Sequence, residues 1–146
     1  MTHYNKLLVA NRGEIALRVI NTAKAQGFAT VAVYSEVDID CDFVLAADEA
    51  VCIGAAPANQ SYLNIDSIIK AAQLTGAQAI HPGYGFLSED AGLASACIEQ
   101  NIIFIGPAPD TISLMGDKRK AKVALNAAGI TCIPGYQGEE QDLATL

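Results

Sequence analysis

The fold of this chain is decided around residues 79–89, which read Ala79-Ile80-His81-Pro82-Gly83-Tyr84-Gly85-Phe86-Leu87-Ser88-Glu89. The apolar run 77–80 is typical of a buried strand, and we expect a helix to open at Ser88. In α/β proteins ligands gather at the carboxyl ends of parallel strands, and this loop follows such an end. Glycines there let backbone N–H groups approach an anion. The same residues are also typical of an ordinary tight turn, so the pattern alone leaves both interpretations open.

Strands and helices alternate on both sides of this loop. The other strands are predicted at 6–10, 30–34, 49–53 and 102–105. Helices are predicted at 13–26, at 43–47, from Asn64 or Asp66 to Thr75, and from 88 to 100, with Leu74 and Ile98 facing inward. This alternation implies right-handed crossovers and a parallel, doubly wound sheet. The sequence therefore predicts an α/β fold with a five-stranded Rossmann-like or flavodoxin-like layer, and it leaves the strand order open.

The composition changes after Pro109, where the strand–helix units end. Two helices and an extended segment are predicted at 110–115, 118–128 and 130–135. We place a domain boundary here, with a first domain over 1–114 and a second over 115–146. Residues 142–146 have the pattern of a first helical turn with nothing to pack against, so we expect the natural chain to continue.

The bulk composition is that of a folded globular chain and argues against two classes of partner. Hydrophobic residues make up 51% of the 146 residues, and charged residues make up 17%. A net charge of −7 without a basic stripe argues against nucleic-acid binding. The chain shows no signal-peptide pattern and no apolar run long enough to span a bilayer, so no membrane partner is expected.

The four cysteines are scattered along the chain, at Cys41, Cys52, Cys97 and Cys132. They form no C-x-x-C pair, and no histidine lies at metal-ligand spacing from them, so we expect no metal site. We expect small buried side chains in a reducing compartment, which predicts a cytoplasmic protein without disulfides.

The motif Asn11-Arg12-Gly13-Glu14 follows the first strand and opens a helix. Arg12 offers donors suited to a carboxylate or phosphate at a helix start, which itself favours anions. Alternatively, Arg12 and Glu14 form a surface pair that shapes the turn. The dinucleotide fingerprint G-x-G-x-x-G is absent, which argues against a nicotinamide or flavin role.

Three further residues each allow a functional and a structural interpretation. Lys118, close to Gly116 at a helix start, can reach a phosphate or be one exposed lysine among several. His81 can serve as a general base or as a hydrogen-bonded structural residue of the turn. Glu89 near a helix start is favoured by the helix dipole whatever its function. The sequence shows no evident pair of nucleophile and base.

Seven short blocks of sequence, taken together, carry a resemblance to a known family. They are Leu8-Val9-Ala10-Asn11-Arg12-Gly13-Glu14-Ile15-Ala16, Ala47-Asp48-Glu49-Ala50-Val51, Ser61-Tyr62-Leu63-Asn64, residues 81–89, Phe104-Ile105-Gly106-Pro107, Met115-Gly116-Asp117-Lys118 and Ile133-Pro134-Gly135. Together they resemble the N-terminal part of biotin carboxylase, the ATP-dependent component of acyl-CoA and pyruvate carboxylases. The chain departs from the usual pattern at Phe43 and Leu45, where histidine and arginine are common, and at Asp90, where asparagine is usual.

The resemblance implies a Rossmann-like pre-ATP-grasp domain followed by the start of an ATP-grasp domain. It implies a ligase in which bicarbonate attacks the γ-phosphate of MgATP, and the carboxyphosphate formed supplies CO₂ to N1 of biotin. The implied cofactors and substrates are ATP, Mg²⁺ or Mn²⁺, biotin and bicarbonate. The implied partners are a biotin carboxyl carrier domain and a carboxyltransferase subunit.

The resemblance also implies roles for particular residues. Lys118 matches a lysine that contacts ATP phosphates, while Tyr84, Gly85 and Glu89 match a loop that borders the biotin and bicarbonate end of the pocket. Catalytic residues and metal ligands are expected beyond Leu146, so we expect the 146-residue chain to be inactive alone.

Other functions stay open at this point. The chain can be a non-catalytic α/β module that binds an anion or forms a subunit interface, or the layer that precedes another ATP-grasp ligase. Residues 134–142 resemble methylcrotonyl- or geranyl-CoA carboxylase subunits more than the stand-alone bacterial component. The sequence leaves open the acyl-CoA acceptor and whether the chain forms homo-oligomers.

Overall fold

The computed structural model describes residues 4–134, which form one parallel sheet with helices on both faces. The five strands are β1 (Lys6–Val9), β2 (Ala29–Ser35), β3 (Glu49–Gly54), β4 (Ala79–His81) and β5 (Ile103–Phe104). They lie in the order β3-β2-β1-β4-β5, and every neighbouring pair is parallel. The predicted fold class is confirmed, and the strand order is the Rossmann order rather than the flavodoxin order.

Six helices connect and follow the strands in the described part of the chain. They are α1 (Gly13–Ala25), α2 (Asp42–Ala46), α3 (Ile65–Thr75), α4 (Ala91–Glu99), α5 (Pro109–Gly116) and α6 (Lys118–Ala127). Single 3₁₀ turns lie at Glu36–Asp38 and Ala58–Gln60. Between residues 4 and 134, no helix has both the length and the hydropathy that crossing a membrane requires.

The first strand lies at the centre of two cores because its side chains alternate between the two faces of the sheet. Leu8 packs with Ile68 of α3 and Leu93 of α4, whereas Val9 packs with Ile20 of α1 on the other face. All of these side chains are fully buried. A parallel strand covered on both faces has a continuous apolar sequence, which is why β1 is evident from the sequence.

The ends of α3 follow the predicted start and stop residues. Asn64 is the N-cap, and its Oδ1 accepts a hydrogen bond from the Ser67 N–H at 3.0 Å. Gly76 ends the helix in the left-handed conformation, with φ 66°.

The prediction that the next helix opens at Ser88 is wrong. Ser88 lies in a turn, where its N–H donates to the Gly85 carbonyl at 2.9 Å. The helix begins at Ala91, and Asp90 is its N-cap, with Oδ1 accepting from the Gly92 N–H at 2.6 Å. A serine and an aspartate are both good caps, and here the turn that buries Leu87 places the aspartate at the helix start.

Two side chains predicted to face inward are exposed, Leu74 by 76% and Ile98 by 63%. Successive helical residues are rotated by about 100°. Leu74 therefore lies opposite the buried stripe of Ile68 and Ala72, and Ile98 lies at the edge of the stripe of α4. Single apolar residues on a helix surface are common, and the sequence pattern did not separate them from the core.

The cysteines also depart from the prediction of uniform burial. Cys97 is buried, but Cys41 and Cys52 are exposed and Cys132 is intermediate; all four are free. Burial raises the pKa of the Cys97 thiol to about 11. Cys52 is exposed because β3 is an edge strand with largely uncovered side chains.

The last described part of the chain, residues 109–130, is called the α5–α6 arm below. It contains both predicted helices; α5 packs on α4, and α6 packs on α5. Its buried residues are Ile112 in α5 and Ala121 in α6. Residues 131–134 have no regular structure, and the helical turn predicted at 142–146 lies outside the described residues.

Candidate functional site

The two polar motifs of the sequence meet at the carboxyl edge of the sheet, between β1 and β4. The chain passes from β1 to β2 and β3 on one side of β1 and then returns to β4 on its other side, which makes the gap between β1 and β4 the switch point of the sheet, where α/β proteins bind ligands. A groove of about 480 Å³ opens at this point. We call it the carboxyl-edge groove; its lining residues are Asn11, Arg12, Gly13, Glu14, Ile15, Tyr84, Gly85 and Phe86.

Asn11 joins the loop after β1 to residues 82–89, which we call the glycine loop. Its buried Nδ2 donates to the Pro82 carbonyl at 2.7 Å and to the Tyr84 carbonyl at 2.8 Å. Its Oδ1 accepts from the Arg12 N–H at 2.9 Å. One buried amide therefore satisfies the backbone groups of both loops and fixes their separation.

Gly83 makes this contact sterically feasible. Its φ is 67°, and a Cβ at this position would lie 2.7 Å from Asn11 Nδ2. The residue thus needs both the left-handed backbone that glycine adopts easily and the empty space where a side chain would be. The glycine in the sequence motif is explained by packing against Asn11.

His81 serves the loop as a hydrogen-bond acceptor. Its Nδ1 accepts from the Gly83 N–H at 2.9 Å. Burial lowers the pKa of this imidazole, and the positive charge of Arg18 lowers it further. His81 is therefore neutral at physiological pH with Nδ1 engaged, which fits the structural interpretation.

Tyr84 and Glu14 face each other across the groove. The Tyr84 hydroxyl donates to the Glu14 Oε1, and this hydrogen bond raises the pKa of the tyrosine. The Tyr84 side chain is 60% exposed, so its ring remains accessible beside the groove. Glu14 is thereby paired with Tyr84, and the predicted surface pair between Arg12 and Glu14 is not what forms.

Arg12 extends in the other direction, onto two aromatic rings. Its Cζ lies 5.3 Å from the centroid of Tyr62 and 5.4 Å from that of Phe86, distances typical of cation–π contact. The two rings are themselves stacked, with centroids 5.2 Å apart. A guanidinium nitrogen also lies 3.9 Å from Asp38 Oδ2.

Asp38 is the acceptor that organises this cluster. Its Oδ2 accepts from the Tyr62 hydroxyl at 2.7 Å and from Ser35 Oγ at 2.6 Å. Burial by itself would raise the pKa of Asp38, but the hydrogen bonds from Ser35 and Tyr62 and the charge of Arg12 outweigh it, so the pKa is lowered. The Tyr62 oxygen also accepts from the buried Ser35 N–H at 3.0 Å, so each polar group of the cluster has a partner.

The predicted site residues do not all gather in the groove. Tyr84 and Gly85 line it, whereas Glu89 is exposed and is not among its lining residues. Lys118 is exposed at the start of α6, outside the groove, where Asp117 caps the helix by accepting from the N–H groups of Arg119 and Lys120. Among residues 4–134, no three His, Cys, Asp or Glu side chains are grouped as a metal ion would require.

Sequence reasoning missed the connection of Arg12 with Asp38, Tyr62 and Phe86. These residues follow four different strands, so no local spacing links them. The strand order that brings the loops together was the feature that the sequence left open.

Comparison with known proteins points to one family. A family model described as the biotin carboxylase N-terminal domain matches residues 3–112. The biotin carboxylase of Allochromatium vinosum is 57% identical over 94% of this chain, which covers 30% of that protein. The mitochondrial methylcrotonoyl-CoA carboxylase subunit alpha of Oryza sativa subsp. japonica is 55% identical over 97% of this chain, which covers 19% of that protein. These identities do not decide whether the chain is nearer to stand-alone biotin carboxylases or to methylcrotonoyl-CoA carboxylase subunits. The sequence of residues 134–142 favoured the second type, but residues 135–142 lie outside the described part.

Solved structures give the same result. One is the biotin carboxylase domain dimer of Hydrogenobacter thermophilus 2-oxoglutarate carboxylase, in complex with MgADP, ADP and bicarbonate. It superposes on this chain with a TM-score of 0.92 and a sequence identity of 46%. The match covers 99% of this chain and 32% of that one. A biotin carboxylase–β-γ-ATP complex from Campylobacter jejuni gives 0.89 at 48% identity, over 93% and 30%. The chain thus spans about a third or less of the length of these proteins.

Proposed function

This chain belongs to the biotin carboxylase family through its N-terminal domain, and from that premise we propose that it is the pre-ATP-grasp part of an ATP-dependent biotin carboxylase. The observation that carries the proposal is the match of the family model over residues 3–112. The chain covers 30% of the Allochromatium vinosum enzyme, so the activity belongs to a longer protein of which this domain is one part.

The proposed reaction is the carboxylation of biotin with bicarbonate. One related structure is described with MgADP and bicarbonate, and another with an ATP analogue, which supports ATP, Mg²⁺ or Mn²⁺, and bicarbonate as ligands of the intact protein. When bound, MgATP supplies the phosphoryl group that activates bicarbonate. Because residues 4–134 contain no grouped metal ligands, we assign the metal to residues outside this part of the chain.

Lys118 is proposed as a phosphate-binding residue. It is exposed at the first position of α6, and no acidic side chain within the described residues is recorded in an ion pair with it. An ammonium group in this position can neutralise phosphate charge once the rest of the nucleotide site surrounds it.

The carboxyl-edge groove is proposed as one wall of the biotin and bicarbonate end of the site. Tyr84 offers an accessible ring and hydroxyl there, and Gly85 leaves backbone uncovered because it has no side chain. Glu89 is proposed to act at the rim, since it is exposed beyond the groove lining. The groove is open on one side, so a second wall from the rest of the protein would complete it.

The proposed partners follow from the same premise. They are a biotin carboxyl carrier domain, a carboxyltransferase subunit and, since one related structure is described as a dimer, a second copy of the protein. We also propose a domain boundary between residues 114 and 115, which falls within the last turn of α5. The free cysteines support a reducing compartment such as the cytoplasm.

The test is an assay of the intact protein that contains this domain, with free biotin as the acceptor. We expect ADP release that depends on both bicarbonate and biotin, together with transfer of labelled bicarbonate into biotin. ATP hydrolysis that is indifferent to biotin would instead indicate another ATP-grasp ligase. An absence of ATP hydrolysis under all conditions would favour a non-catalytic module, and either result would contradict the proposal.

A further inference from the structure

The glycine loop contains a non-glycine residue with an unfavourable backbone conformation. Gly83, Gly85 and Phe86 all have positive φ, with values of 67°, 66° and 43°. Glycine adopts this region freely, but Phe86 carries a Cβ and does so at a cost. Interactions outside the loop must therefore hold Phe86 in place.

The ring of Phe86 supplies those interactions. It stacks on Tyr62 with an interplanar angle of 18°, and the guanidinium of Arg12 lies over both rings. The next residue, Leu87, is 4% exposed and belongs to the core on that face of the sheet. The strained backbone at Phe86 is therefore followed directly by Leu87, which anchors this end of the loop in the core.

Arg12 is in turn held from the other side by Asp38. The carboxylate lies 3.9 Å from the guanidinium and is itself fixed by Tyr62 and Ser35. The contacts of Arg12 therefore link the loops after β1, β2, β3 and β4. A guanidinium suits this position because it is planar and charged, so it can lie on rings and face a carboxylate at once.

We propose that Arg12 is a positioning residue, which holds Phe86 against Tyr62 and so keeps the glycine loop in the conformation that brings Tyr84 and Gly85 to the groove. The part of this inference that concerns what the groove binds rests on the proposed function. The part that concerns the conformation of the loop does not. It assigns Arg12 a role different from the anion-binding role that its place at a helix start suggests.

The first test measures amide hydrogen exchange in the 146-residue chain. The reporter is the Ser88 N–H, which donates to the Gly85 carbonyl within the loop. The reference is the Ala10 N–H, which donates to the His81 carbonyl at the end of the sheet. The variants are Arg12→Lys, which keeps the charge without the planar group, and Phe86→Leu, which removes the ring.

We expect each variant to speed exchange at Ser88 by about fivefold relative to Ala10, since each weakens or removes the cation–π contact between Arg12 and Phe86. The double variant should speed exchange by less than the product of the two single effects, because both substitutions act on the Arg12–Phe86 contact, although Arg12 also lies over Tyr62 and Phe86 also stacks on it. Phe28→Leu is the matched control: it removes a phenylalanine stacked on Tyr4, with centroids 5.0 Å apart, and should leave Ser88 unchanged. Equal exchange at Ser88 in Arg12→Lys and wild type, or an equal rise at Ser88 and Ala10, would overturn the positioning role.

The second test measures kinetics in the intact carboxylase. If Arg12 positions the loop, Arg12→Lys and Phe86→Leu should both lower kcat/KM for biotin by about tenfold while leaving the KM for ATP unchanged. If Arg12 instead binds an anion, lysine should retain part of the activity and Phe86→Leu should have little effect, which would overturn the inference. A wild-type protein without carboxylase activity would contradict the proposed function, and the exchange experiment would then decide the role of Arg12 alone.

Discussion

The carboxyl edge of the sheet and the α5–α6 arm both carry residues proposed for the site, but they are built in opposite ways. At the edge, Asn11 and Asp38 are surrounded by hydrogen-bond partners drawn from loops far apart in sequence. In the arm, Lys118 is exposed on α6, whose main packing partner in the described part of the chain is α5. The edge is thus shaped by contacts within this chain, whereas the arm presents an exposed charge.

This difference predicts that the two parts of the proposed site respond differently to substitution. Changes at the edge should alter folding stability and, through it, the shape of the groove. Changes in the arm should leave stability almost untouched and act on nucleotide binding in the intact protein. Four predictions test this contrast.

The largest effect is expected from Gly83→Ala. The new Cβ would need a left-handed backbone and would lie 2.7 Å from Asn11 Nδ2, displacing a buried amide that holds two carbonyls. We expect a loss of about 3 kcal/mol in unfolding free energy, measured by urea denaturation. Gly129→Ala in the arm is the matched control: its φ is 78° with no atom within 4 Å, so about 1 kcal/mol is expected. Equal losses in the two variants would contradict the contrast.

A smaller loss is expected from Tyr62→Phe. The substitution removes the hydroxyl that donates to Asp38 and leaves the buried Ser35 N–H without its acceptor. We expect about 2 kcal/mol of destabilisation by urea denaturation, with the ring stack retained. Tyr4→Phe, at a ring stacked on Phe28 alone, should change stability by less than about 0.5 kcal/mol. A Tyr62→Phe chain as stable as wild type would mean that the Asp38 cluster contributes little.

Acid titration should separate Asp38 at the edge from Asp117 in the arm. Both carboxyls have a pKa below the usual 3.8, Asp38 despite its burial and Asp117 chiefly through the Lys120 N–H. Such a group stabilises the fold above pH 3.8, and this contribution is lost as the pH falls through the lowered pKa. The stability gap between wild type and Asp38→Asn should therefore narrow on acidification.

The corresponding gap for Asp117→Asn should be small at every pH, because that carboxyl is 39% exposed and asparagine caps a helix about as well as aspartate does. Asp48, whose pKa is lowered to about 2 by hydrogen bonds from Lys24 and Thr30, is present in both variants and cancels from the comparison. A gap for Asp38→Asn that widens in acid would show the opposite linkage and would contradict the assigned hydrogen bonds.

The smallest effect on stability is expected from Lys118→Ala. Within residues 4–134 this exposed side chain makes no hydrogen bond or ion pair, so the unfolding free energy should change by less than about 0.5 kcal/mol. In the intact protein the KM for ATP should rise, while Lys122→Ala on the same helix should leave it unchanged. Unchanged kinetics in Lys118→Ala would remove this lysine from the nucleotide site.

The sequence predicted those features of the fold that depend on local pattern. The continuous apolar run of β1 and the stop at Gly76 were evident, and Asn64 was one of two candidate caps, because each depends on residues close together in the chain. The start of α4 was misplaced, since Ser88 and Asp90 are both good caps and the burial of Leu87 favours the second.

The shape of the site was less accessible to sequence reasoning. The glycine loop and the motif at Arg12 were each identified as candidates, but their joining through Asn11 depends on β1 and β4 being neighbours. The partners of Arg12 come from loops after three other strands, so they follow from the strand order rather than from any spacing.

The most direct measurement is a calorimetric titration of MgATP into the 146-residue chain and into the intact protein under the same conditions. If this domain shapes its own groove but needs the rest of the protein to bind nucleotide, the intact protein should bind MgATP and the 146-residue chain should give no measurable heat. Micromolar binding by the 146-residue chain would contradict the account.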